Sequence, residues 1–211
     1  MTETSLQRQI ARKGSDKEKL AQRVVRDPGL LPDLLDGLHS DRAAVKYGCA
    51  KVLRIVSETE PGLVYPYIDL FEGLLRAENK ILQWEAIFVI GELARVDTDG
   101  KIEKVFNRYF APISGPVMIT AANVIAGGAK IALAKPELTT RIVNRILAVE
   151  KARYRTAECR RVAIGQAITA FDRIFDRIRN KSPVIGFVRK QLRSPRPATR
   201  KKAERFLKKH G

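Results

Sequence analysis

Residues 41–97 decide the fold. They read DRAAVKYGCAKVLRIVSETE (41–60), PGLVYPYIDLFEGLLRAE (61–78) and NKILQWEAIFVIGELARVD (79–97), followed by TDGKIEKVFNRYFAPI (98–113). A shift of 37 residues lays Val45 on Leu82, Tyr47 on Trp84, Cys49 on Ala86, Val52 on Val89, Leu53 on Ile90 and Val56 on Leu93. Each copy reads as a long apolar helix, a break and a second, amphipathic helix. Paired helices repeating at this length are the signature of an α-solenoid, in which each unit buries its apolar face against its neighbours.

Working outward, Ser15 or Asp16 offers an N-cap to a helix that carries Leu20, Val24 and Val25 as far as Asp27. Pro28 opens a second helix with Leu30, Leu31, Leu34, Leu35 and Leu38. Pro28, Pro61, Pro136 and Pro183 each stand where the second helix of a pair should begin. The first turn tolerates proline because its N–H would go unpaired there anyway. The unit at 79–113 has no such proline, and Thr98 or Asp99 is expected to take that place.

Downstream, SGPVMITAANVIAGGAKIALAK and PELTTRIVNRILAVE form another pair. Gly127–Gly128 weakens its first helix by about 1 kcal/mol per glycine relative to alanine, which points to close helix–helix approach. No GK[ST] follows, so a phosphate-binding loop is a poor reading. In TAECRRVAIGQAITAFDRIFDRIRN, Phe171, Ile174, Phe175 and Ile178 share one face. Asp172/Asp176 and Arg173/Arg177 are read as surface ion pairs rather than a metal site. A basic helix, PRPATRKKAERFLKKHG, closes the chain, with Ala203, Phe206 and Leu207 as its docking face.

These units resemble HEAT repeats, whose first helices place Asp or Asn ahead of a Val–Lys/Arg pair and a small residue. Asp41, Val45, Lys46 and Cys49 follow that pattern; Asn79, Leu82, Gln83 and Ala86 follow it with Gln in the basic position; Thr199, Arg200 and Ala203 echo it. The resemblance implies an all-α, right-handed α-solenoid of about five HEAT-like helix pairs plus a C-terminal basic capping helix. Its expected organisation is a flexible arm over 1–14 and one domain over 15–211. The expected units are about 15–40, 41–78, 79–113, 114–150, 151–194 and a terminal helix, 195–211.

Composition narrows the function. The chain is 45% hydrophobic and 30% charged over 211 residues, ordinary for a folded protein. No charge-free apolar run reaches about 18 residues, and the polar start MTETSLQRQIARKGSDKEK lacks a secretory core, so a cytoplasmic protein is expected. Cys49 and Cys159 read as reduced, buried side chains. His39 and His210 are the only histidines, and no CxxC or HExxH occurs, so no cofactor, metal or catalytic residue is expected. His39-Ser40-Asp41 reads as a turn in which Ser40 or Asp41 caps the next helix rather than as a catalytic set.

Charge is the most informative property. The net charge is +17, yet residues 1–140 hold 19 Lys+Arg against 18 Asp+Glu, whereas residues 141–211 hold 21 against 5. An excess of +16 at one end implies a polyanionic partner. On the second helix of the fourth unit, Leu138, Ile142, Ile146 and Leu147 should face inward, leaving Arg141, Asn144 and Arg145 open. On that of the fifth, Ile185, Val188 and Leu192 should face inward, leaving Arg189, Lys190 and Arg193 outward. Arg200, Lys201, Arg205, Lys208 and Lys209 on the last helix extend the basic set. The expectation is a non-enzymatic scaffold binding nucleic acid or another polyanion through phosphate contacts, without sequence preference. A scaffold for an acidic protein partner is the alternative. The chain also resembles HEAT-like alkylpurine DNA glycosylases in length, architecture and charge. That resemblance implies a groove with aromatic residues and a carboxylate, for which Trp84, Glu85 and Glu92 are the nearest candidates; Trp84 aligns with Tyr47 and reads as packing.

Overall fold

The computed structural model describes residues 3–211, and the described residues are helical with no strand. They form an all-α solenoid that divides into two compact units, Met1–Lys101 and Ile102–Gly211, where a single domain over 15–211 was expected.

In the first unit, α1 (Ser5–Ile10), α2 (Lys17–Arg26) and α3 (Leu31–Gly37) precede α4 (Ala43–Thr59). The segment expected to be a flexible arm departs from that reading, with residues 1 and 2 outside the described residues. Thr4 and Gln7 form a reciprocal capping box on α1: the Thr4 hydroxyl accepts from the Gln7 N–H at 3.3 Å, and the Gln7 side-chain oxygen accepts from the Thr4 N–H at 3.1 Å. Leu6 and Ile10 are each 1% exposed, and Gln7 Nε2 donates to the Asp33 carbonyl at 2.7 Å. The docking space is opened by small residues on the partner helices. A side chain at Gly48 would fall on Ile10 Cγ2, and one at Gly37 would fall on Cys49 Sγ. Two apolar residues four apart in a polar segment are a weak sequence signal, and the complementary gaps lie far along the chain.

Asp16 caps α2 by accepting from the Lys19 N–H at 3.0 Å. Ser40 Oγ accepts from the Arg42 N–H at 3.2 Å ahead of α4, so Ser40 rather than Asp41 supplies the bond there. After α4 come α5 (Pro61–Val64), α6 (Ile68–Leu74) and α7 (Lys80–Leu93), the last capped by Asn79, which accepts from Ile81 and Leu82. Along α4, Val45, Cys49, Val52, Leu53 and Val56 are fully buried, and along α7 so are Ala86, Val89, Ile90 and Leu93. These are the positions the 37-residue shift superposes, and α4 and α7 pack directly on each other. Burying one such side chain contributes about 1.5–3 kcal/mol.

In the second unit, α8 (Lys101–Phe110) is followed by α9 (Met118–Ala134), α10 (Thr139–Leu147), α11 (Ala157–Ile174), α12 (Ser182–Lys190) and α13 (Pro197–His210). The first-helix layer is α9, α11 and α13 in contact order; α10 packs on α9, α11 and α12. Asp97, not Thr98 or Asp99, serves the start of α8, accepting from the Lys101 N–H at 2.8 Å. Pro28, Pro61, Pro136 and Pro183 occupy the first two positions of their helical turns, as the sequence predicts. Gly128 is where α9 meets Phe110, since an added Cβ would sit 2.7 Å from the ring. Gly115 has φ of 103°, and any side chain there would strike the Arg153 carbonyl, so the turn before α9 requires glycine.

Polar ties join successive units at one repeat of separation. Thr199 Oγ1 donates to the Arg161 carbonyl at 2.9 Å and Lys202 Nζ to the Gly165 carbonyl at 3.0 Å. Arg95 Nη2 donates to the carbonyls of Ser57 at 3.2 Å and Glu58 at 2.8 Å. No described helix is long and apolar enough to cross a membrane.

Candidate nucleic-acid interface

The second helices place the basic residues. On α10, Ile142 and Ile146 are fully buried and Leu138 lies inside just ahead of them, which turns Arg141, Asn144 and Arg145 outward. Together with Phe106, Asn107 and Ala148 they line an open recess of about 400 Å³. Arg141 lies over the Phe106 ring, its Cζ 4.2 Å from the centroid, and its Nη1 pairs with Glu103 Oε1. Arg145 Nη2 donates to Asn107 Oδ1 at 2.7 Å. The charge of Arg141 is therefore compensated, while Arg145 is tied to a neutral amide and keeps its charge. The Asn144 side chain has no hydrogen-bond partner among the described residues.

On α12, Val184, Phe187 and Val188 are buried, and Arg189 and Lys190 are exposed, with Arg193 following in the next turn. Leu192 departs from expectation: it is 41% exposed because α12 ends at Lys190 and the turn that follows reorients it. Lys190 Nζ pairs with Glu150 at 3.1 Å, whereas the Arg189 and Arg193 side chains make no ion pair or hydrogen bond among the described residues.

The terminal helix divides its cations. Arg200 is half-buried and donates to the Ser194 carbonyl at 3.1 Å, so it serves the turn before α13. Lys201 is exposed. Arg205 lines a different recess, of about 480 Å³, with Ile168, Thr169, Asp172, Lys202 and Lys209. Asp172 holds Lys209 Nζ at 3.0 Å and His210 Nε2 at 2.7 Å. Desolvation pushes the Asp172 carboxyl up, but these hydrogen bonds outweigh it and leave its pKa below the usual range. Pairing of Asp172 with its own helix's arginines was expected; it pairs instead with α13. Lys202 is pulled down by desolvation, then by Arg205 and Arg196.

The eight basic residues therefore fall into groups rather than one continuous row. Arg141 and Arg145 share one recess, Arg189 and Lys190 follow on the neighbouring second helix with Arg193 in the turn after it, and Arg205 belongs to the α11–α13 groove. Sequence reasoning missed Glu103, Phe106 and Asn107. The repeat offset contained the signal: Glu103 and Arg141, like Asn107 and Arg145, stand 38 residues apart.

The residues nearest to a glycosylase pattern lie elsewhere, on α7. Trp84 is half-buried. Glu85 Oε2 stands 3.4 Å from Arg54 Nε, neither atom making a hydrogen bond, and burial raises the Glu85 pKa against the opposing pull of Arg54 and Lys51. Arg54 also lies over Phe88, and Glu92 pairs with Arg95 at 3.3 Å. Among the described residues no group of three or more His, Cys, Asp and Glu is placed to hold a metal ion. Cys49 is buried as expected, but Cys159 is only half-buried, in the first turn of α11.

Neither a protein-family model nor a curated protein matches the sequence. Solved structures do match in fold. An engineered protein superposes with a TM-score of 0.57 at 16% identity, covering 96% of this chain and 86% of its own. A designed armadillo repeat protein gives 0.56 at 16% identity, covering 96% and 89%. Another, solved in complex with the peptide (KR)4, gives 0.53 at 15% identity, covering 96% and 90%. At such identity the likeness establishes the fold alone, a helical repeat solenoid.

Proposed function

We propose that this protein is a non-enzymatic repeat scaffold of HEAT type that binds nucleic acid through the basic second-helix surface of its C-terminal third. The two-helix units and the Asp41–Cys49 pattern support the HEAT assignment. The observation that carries the binding reading is the set Arg145 on α10, Arg189 on the adjoining α12 and Arg193 in the turn after it: all are exposed, and none has an acidic partner among the described residues. Part of the +16 excess of residues 141–211 surfaces at these three arginines, where it attracts a polyanion. Neighbouring packed helices are about 8–10 Å apart, so the guanidinium groups can follow a phosphate backbone.

An acidic polypeptide is the second reading, and one comparison favours it. A designed armadillo repeat protein similar in fold was solved in complex with a peptide, the basic (KR)4; on the present basic surface, charge complementarity calls for an acidic one.

The test is binding of single-stranded and duplex oligonucleotides over a salt series, with an Arg145→Gln/Arg189→Gln/Arg193→Gln variant alongside the wild type. Wild-type affinity should fall steeply with salt. Loss of three phosphate contacts should flatten the log–log slope by about 2 for single strands and about 2.7 for duplex. A wild type that binds no oligonucleotide at about 50 mM salt, yet binds polyglutamate, would overturn the nucleic-acid reading in favour of the acidic polypeptide.

A further inference from the structure

We infer that Arg141 is a stacking platform for an unpaired nucleobase, so that the nucleic acid bound on this face is single-stranded. The inference rests on the nucleic-acid reading above and deepens it.

Phe106 is 2% exposed and forms the floor beneath the Arg141 guanidinium. Phe110 backs Phe106, their centroids 4.7 Å apart, so the floor is itself held in place. Glu103 takes the Nη1 edge. One face of the guanidinium is thus covered and one edge is occupied, yet the side chain remains 45% exposed. The part of the side chain that neither the ring nor Glu103 covers is open to the recess. A guanidinium already neutralised by a carboxylate is a poor phosphate ligand, but its plane still stacks on an aromatic base.

The surroundings fit the same ligand. Asn144, one turn along from Arg141, carries a free amide with two donors and an acceptor, the equipment that pairs with a base edge. Arg145 beside it keeps an uncompensated charge for the adjoining phosphate. The recess of about 400 Å³ is open to solvent and has room for one base. Bases of an intact duplex are stacked inside it and present no face to such a platform, whereas single strands splay theirs outward. The α11–α13 recess lacks this arrangement, because its cations surround Asp172 and no guanidinium there lies over a ring.

The experiment compares a labelled thymidine 12-mer with an abasic strand of the same length by fluorescence anisotropy at about 50 mM salt. The abasic strand keeps every phosphate and loses every base. The wild type should bind the thymidine strand about tenfold more tightly. Arg141→Lys retains the charge and loses the plane, so it should bring the thymidine strand close to abasic affinity while changing abasic binding by less than about twofold. Asn144→Ala, an exposed change, should weaken only base-bearing strands. Equal wild-type affinity for the two strands would overturn the platform while leaving phosphate binding intact. Arg141→Lys weakening both strands alike would overturn it too, by making Arg141 an ordinary backbone contact. Failure of both strands to bind would overturn the nucleic-acid reading and the platform with it.

Discussion

Substituting Leu6 tests the docking of α1, where sequence and structure part most clearly. Leu6→Ala removes about three methylene-sized groups at roughly 0.8 kcal/mol each, or about 2.4 kcal/mol before any cavity cost. Leu6 is 1% exposed, so the full transfer contribution applies, and the position at the chain's edge lets the site relax partly. The expected loss is about 2–3 kcal/mol. Were the segment an undocked arm, the change would stay within about 0.5 kcal/mol. Gly48→Ala probes the same contact from α4. Helix propensity alone makes it stabilising by about 1 kcal/mol, but here the new methyl meets Ile10 Cγ2, and overpacking costs about 1–3 kcal/mol. Combining it with Ile10→Ala should relieve the clash, so that Gly48→Ala becomes stabilising in that background, with a coupling of about 0.5–3 kcal/mol. Urea unfolding followed by the fluorescence of Trp84, in the same unit on α7, reads each variant; Arg12→Ala, at an exposed site, is the control. Equal midpoints for Leu6→Ala and the control would refute the docking of α1.

Two further outcomes follow from the titrating groups. Burial raises the Glu85 pKa above its unfolded value, so its contribution to stability is fully present below the unfolded pKa and is lost as pH rises through the folded one. Glu85→Gln should therefore cost less than about 1 kcal/mol at neutral pH, with Glu58 still 3.5 Å from Arg54, and the wild type should gain on the variant as pH falls; a neutral-pH loss of about 3 kcal/mol would contradict this. The Cys49 thiol, pushed up to about 12 by desolvation and then by Asp33, should be inert to a thiol reagent at pH 8 in the native protein; Cys159 should react, and a second thiol should appear only on denaturation. Two reactive thiols in the native protein would place Cys49 outside the core.

The legible parts of the fold are those governed by short periods. Val45, Val52, Leu53 and Val56 repeat at helical spacing, and one further shift finds their counterparts on α7, so the layers of first helices are visible in the chain. Prolines mark second-helix starts because the missing N–H restricts them locally. Leu192 was misplaced because the helical period was carried past the end of α12 into a turn. The outward direction of Arg141, Asn144 and Arg145 followed from the burial of Ile142 and Ile146 between them. That Arg141 is neutralised by Glu103 and Arg145 tied to Asn107 did not, because choosing a partner requires the register between two helices to within one turn. The same gap let Asp172 be paired with its own helix when Lys209 and His210 of α13 were the closer cations.

By itself, then, the amino-acid sequence determined an all-α repeat, the buried face shared by α4 and α7, and the part of the chain that carries the positive charge. Each of these depends on composition or on a period that a single helix enforces. Only the tertiary structure decided that α1 docks, which arginines keep a free charge, and that Arg141, paired with Glu103, lies over a buried phenylalanine. Those outcomes depend on groups about one repeat apart or more meeting within a few ångströms. Complementary shape and charge between packed helices set that distance, and no local pattern records it.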